Sequence, residues 1–582
     1  MPVSELAIFS YYNKQRFTQF GSMDCANWYG VEQPNTKTGR ALYPAMGRKH
    51  ITTLNTNKLL FNSEPRGLFR SIDFVYIIDG AKVYQVDRFF NKKEIGPSIS
   101  LTGAVWFAFL PVGKIVYCMM TDETNVYLIT EDGTDVTMET VTDINTPTAP
   151  LYVAAFGNRF VVSNKDTPDY FLTAINVEGG AADCFTVNGS PLFNRASGVI
   201  GQFAVLHAQL YIMCNFTTDI WGNTVTTVNV GGAAREFPWK LNTSYNWDYG
   251  IADPFSLDVD FGRMTWLAQN RNGLVTFMNS NGQMPEDIST EAVDVLLQEG
   301  ATSEGLSPFL EGTSEGFLYQ YENTIFYRIS AGTFLDVGEL DIPGSATSLE
   351  FNFATKTWAR VIELNGDRSR IQKHVFFNRK HLVSVEDDTA IYQMAGNIYY
   401  NELRNPAQPD GQADNAFLKY PMRYELTTSQ IFEQDYSEFI TDYIEIDFVF
   451  GDKTFYKSNA PFVNTVYVVG EGSTPEVPIY VLSEDDKFII KEGTNTPSFD
   501  DNHYNALFKP HIEVYYSDDG GVTFLTADLL EFSPLGEYRW RMRWYQLGAS
   551  RNRCYKLICV SSAPIVILGA VQSGRRSSGG AN

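Results

Sequence analysis

The chain has 582 residues and a formal net charge of −23 at neutral pH, with 44% hydrophobic and 19% charged residues. That balance excludes a disordered chain, which lacks the apolar residues needed to build a core. It also does not fit a protein that grips nucleic acid, because such a protein presents an excess of lysine and arginine to the phosphates. Aromatic residues reach 14%, and these side chains suit half-buried pleated surfaces, so the composition favours β-sheet.

The start of the chain has no basic segment followed by a long apolar run, so no secretory signal is expected. The stretch from Gly103 to Met120 is apolar, but Pro111, Gly113 and Lys114 interrupt it. It therefore predicts a strand, a turn and a second strand, and no membrane insertion is expected. The six cysteines contain no C-x-x-C pair, which predicts reduced, mostly buried thiols in an intracellular assembly.

Pairs of strand-like runs recur through the first two-thirds of the chain. Val75–Ile78 and Lys82–Val86 flank the dipeptide Asp79-Gly80, which is a strong hairpin signal. Further pairs start about 40 to 60 residues apart, close to the blade period of β-propellers. They lie at 114–130, 151–163, 203–214, 264–279, 317–330 and 375–394. The sequence predicts an all-β fold with a β-propeller-like domain over residues 1–404, and a row of β-sandwiches is the alternative.

One helix is predicted among these strands, with Ser289 as its cap and with Ala292, Val293, Leu296 and Leu297 on its apolar face. A connector rich in proline, glycine and polar residues marks a boundary, and we assign residues 405–417 to a linker. Alternating runs beyond it predict an antiparallel, β-sandwich-like domain over residues 418–572. Residues 573–582 read as a flexible tail.

No catalytic signature occurs in the chain. It lacks a G-x-S-x-G elbow, a phosphate-binding loop and a Rossmann fingerprint, and its six histidines have no metal-ligand spacing. His374 and His381 are seven residues apart in strand-like sequence, which is expected to place them on opposite faces. We therefore predict no enzymatic activity, no cofactor and no metal.

The motif Ser517-x-Asp519-x-Gly521-x-Thr523-Phe524 matches the Asp-box that sialidases carry on their blade hairpins. The motif stabilises its own turn, because the Ser and Asp side chains accept hydrogen bonds from the turn backbone and glycine allows a positive φ. It occurs once, in the predicted C-terminal domain, whereas a sialidase would repeat it across blades. A sialidase-like glycosidase or carbohydrate-binding propeller is retained as the alternative function.

Arg539, Arg541 and Arg543 alternate with Trp540, Met542 and Trp544. In a strand this spacing places the three guanidinium groups on one face and the apolar side chains on the other. The row is either a solvated face or a contact with an acidic neighbour, including another copy of this acidic chain. We take the three arginines as candidate subunit-interface residues.

The C-terminal run from Ser517 to Ala570 resembles the end of packaged-DNA stabilisation or tail-hub (nozzle) proteins of short-tailed bacteriophages. Four other segments resemble that family in the same order along the chain. They are Asn27-Trp28-Tyr29 with Thr38–Gly47, Arg66–Phe69, Asp219–Thr224, and Ile288–Val293, where Glu291 replaces the usual proline. Residues 451–510 match nothing in the family, so their role is left open.

The resemblance implies a structural virion protein of the phage tail, assembled in the host cytoplasm. In that family the protein forms a ring, expected to be a hexamer, below the portal and its adaptor. The ring extends the DNA channel, helps to retain packaged DNA and docks the tail needle, spikes or fibres. Genomic DNA is expected to pass without tight binding, because an acidic surface repels phosphate. A host-type propeller that recruits other proteins is a further alternative.

Overall fold

The computed structural model describes residues 3–6, 11–13, 23–34, 39–51, 59–230, 233–242, 246–299, 314–331, 347–404, 417–432, 437–451, 511–531 and 539–576. These residues form β-strands joined by turns, with two α-helices among them: α1 (Gly180–Asp183) and α2 (Glu291–Glu299). Five strands come first: β1 (Val3–Glu5), β2 (Asp24–Ala26), β3 (Trp28–Glu32), β4 (Arg40–Pro44) and β5 (Gly47–His50).

Five separate antiparallel sheets and two antiparallel arms of one larger sheet follow in chain order within the described residues and form the blades of a β-propeller. Blade 1 comprises β6 (Pro65–Arg70), β7 (Val75–Asp79), β8 (Lys82–Val86) and β9 (Lys92–Ile95). Blade 2 comprises β10 (Trp106–Val112), β11 (Ile115–Thr121), β12 (Val126–Asp132) and β13 (Asp135–Thr140). Blade 3 comprises β14 (Pro150–Phe156), β15 (Arg159–Asn164), β16 (Asp169–Leu172), β17 (Thr186–Val187) and β18 (Ser190–Arg195).

Blade 4 comprises β19 (Ile200–Leu206), β20 (Gln209–Cys214), β21 (Thr218–Gly222) and β24 (Lys240–Leu241), with the hairpin β22 (Thr226–Val230) and β23 (Ala233–Phe237) inserted before its last strand. Blade 5 comprises β25 (Tyr249–Ile251), β26 (Asp258–Asp260), β27 (Arg263–Asn270), β28 (Val275–Ser280) and β29 (Glu286–Asp287). Blade 6 comprises β30 (Glu315–Tyr321), β31 (Thr324–Ala331), β32 (Thr347–Asn352) and β33 (Thr357–Arg360). Blade 7 comprises β34 (Ile371–Phe377), β35 (Lys380–Val385) and β36 (Ile391–Ala395).

Hydrophobic clusters fill the gap between each blade and the next, all the way round the ring. The last of them joins blade 7 to blade 1, where Phe377 and Leu382 pack with Ile77 and Val86. Because each apolar strand face is covered by a neighbouring blade, no blade leaves a bare sheet, and burial of this surface is the main driving force for the closed ring. The predicted β-propeller is confirmed, and the closed ring sets the blade number at seven.

The ring is closed by a strand from near the start of the chain. Strand β5 pairs antiparallel with β36 and supplies the outermost strand of blade 7. Gly47 begins this strand, and a Cβ there would lie 2.4 Å from the carbonyl oxygen of Tyr400. Any other residue would collide with backbone at this point, so the closure depends on glycine.

The remaining strands form a β-sandwich: β37 (Tyr400–Arg404), β38 (Phe417–Thr427), β39 (Phe439–Phe450), β40 (His511–Ser517), β41 (Leu525–Glu531), β42 (Arg539–Ser550), β43 (Cys554–Ser561) and β44 (Ile565–Arg576). One sheet runs β3-β4-β44-β39-β42, with β1 also on β44, and the other contains β2, β38, β43, β40 and β41. Their facing side chains, including Trp28, Ile446 and Trp544, form one core. The predicted C-terminal sandwich is confirmed.

The strand pairing corrects three predicted boundaries. Strands β1 to β4 pair with the sandwich, although residues 1–404 were assigned to the propeller. The reason is that Trp28 and Leu42 bury against C-terminal strands, a long-range contact that no local pattern encodes. Strand β38 begins at Phe417, inside the predicted linker, whose other residues lie outside the described part. Strand β44 continues to Arg576, so the first residues of the predicted tail are paired.

Ion pairs link blades 6 and 7 to each other and blade 6 to the sandwich. Arg48 on β5 donates to both carboxylate oxygens of Glu363, at 2.6 and 3.1 Å. Arg360 at the end of β33 pairs with Asp24 at 2.5 Å and with Glu425 at 3.0 Å. The Arg48 side chain is 1% exposed, and a charge this far from water is tolerated only when it is paired and hydrogen-bonded.

The structure also contains the predicted hairpins, helix and buried cysteines. Each predicted hairpin is present as a pair of neighbouring strands, and 103–120 forms β10, a turn and β11. The predicted helix is α2, whose Ala292, Val293 and Leu297 pack between blades 5 and 6. Ser289 does not cap it, because its hydroxyl accepts a hydrogen bond from the Phe277 amide instead. All six cysteines are buried and unpaired, as predicted.

Candidate subunit interface

The arginine row lies on β42, and its alternation is as predicted. Side chains of Met542 and Trp544 are 2% exposed, whereas those of Arg541 and Arg543 are 50% and 47% exposed. Arg539 lies opposite Val449 in the same strand pair, and its side chain lies outside the described part. Strand β42 is the last strand of its sheet within the described residues. The described arginines therefore stand on the outer face of a sheet edge.

The same chain supplies acidic partners to this row. Arg543 Nε lies 2.5 Å from Glu445 Oε2, and Arg541 lies 3.9 Å from both Glu445 and Asp447. These carboxylates stand on β39 directly opposite the arginines. Sequence reasoning missed them because it treated the row alone. The matching signal was available, since Tyr443-x-Glu445-x-Asp447 has the same period of two as the arginines.

The internal pairs do not use all of the row's hydrogen-bonding capacity. A guanidinium has five N–H donors, and half of each described side chain faces solvent. Hydrogen bonds to Tyr545 and Glu445 raise the pKa of Arg543. Tyr545 is itself exposed, and its ring lies 5.9 Å from that of Tyr443. Half-exposed arginines beside an exposed tyrosine are residues of the kind enriched at protein interfaces.

The Asp-box forms a closed local turn between β40 and β41. The Ser517 hydroxyl accepts from the Gly521 amide at 2.8 Å, and Asp519 accepts from the amides of Val522 and Thr523. Hydrogen bonds from the hydroxyls of Ser517 and Thr523, and then from the backbone amides, lower the pKa of the exposed Asp519. The motif belongs to the sandwich, and its polar groups are spent on the turn itself.

Two histidines lie together, contrary to the sequence prediction. His374 Nε2 and His381 Nδ1 are 3.0 Å apart. The residues are on neighbouring strands, because a turn at Asn378 and Arg379 reverses the chain between them. Burial, and then the nearby imidazole of His381, lower the pKa of His374 well below 6.5. In the described residues no three His, Cys, Asp or Glu side chains are grouped as a metal site would need.

The propeller axis is filled where the inner strands begin. The Trp106 indole stacks on Phe255 at 4.8 Å and lies 5.2 Å from Tyr152. Lys373 lies 5.4 Å from the Phe255 ring on its other side and pairs with Glu315. Because these residues come from five different blades, they meet at the centre of the ring. A DNA duplex therefore has no path along the axis of the propeller itself.

Comparisons with known proteins support no family assignment. No protein-family model matches the chain, and no curated protein matches it. Among solved structures it is similar to the Neurospora crassa Pan2 WD40 domain, with 8% identity, 57% of this chain and 89% of that chain covered, and a TM-score of 0.31. It is also similar to the N-terminal domain of Nup159, with 9% identity, 61% and 95% covered, and a TM-score of 0.32.

A third similar structure is Hsv2 from Kluyveromyces lactis, with 9% identity, 58% of this chain and 97% of that chain covered, and a TM-score of 0.26. Likenesses at this level add nothing to the sheet topology described above. No helix in the described part of the chain is long and apolar enough to cross a membrane.

Proposed function

We propose that this chain is a structural protein of a short-tailed phage virion, the subunit of a tail-hub ring below the portal and adaptor. The proposal is carried by the ordered resemblance to the nozzle family, which runs through nearly the whole chain. The chain would assemble in the host cytoplasm without a cofactor and reside in the tail. Six copies would surround the DNA path and dock needle, spike or fibre proteins.

The family-like opening segment has a structural task that suits this role. Asn27 donates to the carbonyl oxygens of Ile362 and Arg423, both at 2.7 Å. Trp28 Nε1 donates to Ile565 at 3.0 Å. The segment thus fastens the sandwich to the propeller, and a rigid two-part subunit is what a ring under internal pressure requires. The filled propeller axis is consistent with DNA passing between copies.

The charge of the chain supports a sliding surface for DNA. A net charge of −23 opposes tight phosphate contact, since affinity for DNA depends on neutralising phosphates with cations. We expect duplex binding to be weak and sensitive to salt. Sub-micromolar binding at physiological salt would contradict this part of the proposal.

The test is electron microscopy of the purified chain together with its arginine-row variants. The wild type should form rings whose lumen admits a DNA duplex, and Arg539, Arg541 and Arg543 all changed to Glu should fold but form no rings. A matched control exchanges the internal pair, Arg543→Glu with Glu445→Arg. If the row served only that pair, the exchange would restore assembly fully.

A monomeric wild type that binds on a glycan array would instead support the carbohydrate-binding alternative. The single Asp-box in the sandwich gives that alternative no structural support, because its polar groups are used within the turn. A hydrolytic turnover abolished by a point mutation would overturn the prediction that the chain is not an enzyme.

A further inference from the structure

A cluster of basic side chains lines the outer groove between blades 7 and 1. Lys49 lies on β5 and Lys92 on β9, the outermost strands of these two blades, and Arg379 and Lys380 lie at the start of β35. Lys380 Nζ lies 4.9 Å from the ring of Phe90 in blade 1, so the cluster spans the gap. We call these four residues the basic groove.

The four cations of the basic groove form no ion pair in the described part of the chain, although the Asp79 carboxylate lies close enough to Lys92 to act on its pKa. Within the described residues the ion pairs nearby use other cations, Arg88 with Asp73 and Lys82 with Glu94. Burial, and then the charge of Lys49, lower the pKa of Lys380. Lys49, Lys92 and Arg379 are exposed and carry like charges, so they repel each other through solvent, and an anionic partner would relieve that repulsion.

A second groove, between blades 2 and 3, has the opposite charge. Asp132 and Asp135 stand at the turn between β12 and β13, Glu139 lies on β13, and Asp183 ends α1. Helix α1 is held against blade 2 by a hydrogen bond from the Thr142 amide to the Ala181 carbonyl. All four carboxylates are exposed, and none forms an ion pair with a lysine or arginine of the described chain. We call them the acidic groove.

We propose that the basic groove of one copy docks on the acidic groove of the next copy. The inference rests on the proposed ring and names a contact that joins its subunits. Two different, complementary patches on one molecule give a head-to-tail contact, which closes into a ring when the rotation allows. Lys49, Lys92 and Arg379 and all four carboxylates of the acidic groove are exposed, so both groups are accessible to another copy. Charge complementarity of this kind sets register and rejects wrong partners.

The test uses two charge-reversed variants of the full chain. One carries Lys49→Glu, Arg379→Glu and Lys380→Glu, and the other carries Asp132→Lys, Asp135→Lys and Glu139→Lys. Each variant alone should lose assembly by about tenfold or more at a matched concentration, because like charges now face each other. Mixed in equal amounts they should assemble again, since alternating copies restore every contact in a ring of even number. Exchanging the exposed pair Lys82 and Glu94 is the matched control and should change nothing.

The outcomes separate this inference from the proposed function. If the wild type forms rings and both variants do so equally well, the grooves are not the contact and only this inference fails. The same holds if the equal mixture stays monomeric. If the wild type forms no ring at all, the proposed function fails with it. Should the basic groove instead bind duplex DNA while assembly is unchanged in the first variant, its partner is nucleic acid and the inference is overturned.

Discussion

The propeller and the sandwich are both antiparallel β-structures, but they are built from chain segments at very different separations. Blade 2 is one continuous stretch, Trp106–Val112 through Asp135–Thr140, whereas the sandwich pairs Leu42 with Ile567 and Asp24 with Thr427. Local hairpins close short loops at low entropic cost, whereas long-range strand pairing must overcome a larger loop-closure entropy before its contacts form. The stability of the sandwich therefore depends on both ends of the chain at once.

The largest effect is expected from Trp28→Ala in the sandwich. Trp28 is 1% exposed and stacks on Tyr424 at 5.2 Å, so its removal should cost about 3–5 kcal/mol of unfolding free energy. Trp266→Ala in blade 5, equally buried, is the matched comparison. Hydrogen exchange should show opening of β3, β4 and β44 together in the first variant. In the second, opening should stay within blade 5 and its neighbours.

If Trp28→Ala opened only the strands adjacent in sequence, the dependence of the sandwich on both chain ends would be wrong. The same hydrogen-exchange comparison also tests the coupling between the propeller and the sandwich. Blade 7 should lose protection with the sandwich, because β5 follows β4 after a short connection and closes that blade.

The local parts of the fold could be predicted from the sequence, and the long-range parts could not. Hairpins such as the one around Asp79-Gly80 can be predicted from their turn residues and from the alternation of apolar and polar side chains. The closure by β5 could not be found this way, because its partner strand β36 lies more than three hundred residues later. The alternation of the arginine row was predictable, but its pairing with Glu445 required knowledge of which strands are neighbours. The prediction put His374 and His381 on opposite faces because it took the turn between them for part of a strand.

Breaking a buried ion pair should have the next largest effect. Glu363→Gln leaves Arg48, which is 1% exposed, without a charged partner and should destabilise the chain by about 3 kcal/mol. Glu94→Gln removes a pair with Lys82 in which both side chains are about half exposed, so it should cost much less unfolding free energy. Chemical denaturation of both variants measures the contrast. Equal losses would show that the pair between Arg48 and Glu363 does not stabilise the contact between blades 6 and 7.

Acid should weaken the contact between blades 6 and 7 through His374. Its folded pKa lies well below 6.5, so near pH 6 the unfolded chain takes up a proton that the folded chain does not. Stability from this group is therefore present above pH 6.5 and is lost as the pH falls below it, by about 1.4 kcal/mol between pH 7.5 and 5.5. Burial raises the pKa values of Asp253 and Asp258 to about 6, which acts in the opposite direction.

A variant isolates the histidine contribution from these aspartates. His374→Gln should lose less stability than the wild type over the same pH interval, whereas His207→Gln, at an exposed turn, should behave as the wild type does. An unchanged pH dependence in His374→Gln would mean that the buried imidazole is protonated in the folded state as well.

The smallest effect on the monomer is expected at the arginine row. Arg543→Gln removes a pair whose cation is half exposed, so it should change the unfolding free energy very little. Thermal unfolding of dilute, monomeric protein provides the measurement. A loss as large as that of Trp28→Ala would assign the row to the stability of the sandwich and remove the reason to place it at an interface.

The most direct test of the proposed ring is the native mass of the purified wild-type chain at physiological salt. The account predicts an assembly of six copies of the 65.5 kDa chain, which dissociates on charge reversal of the arginine row. A single species at 65.5 kDa across the accessible concentration range would contradict it.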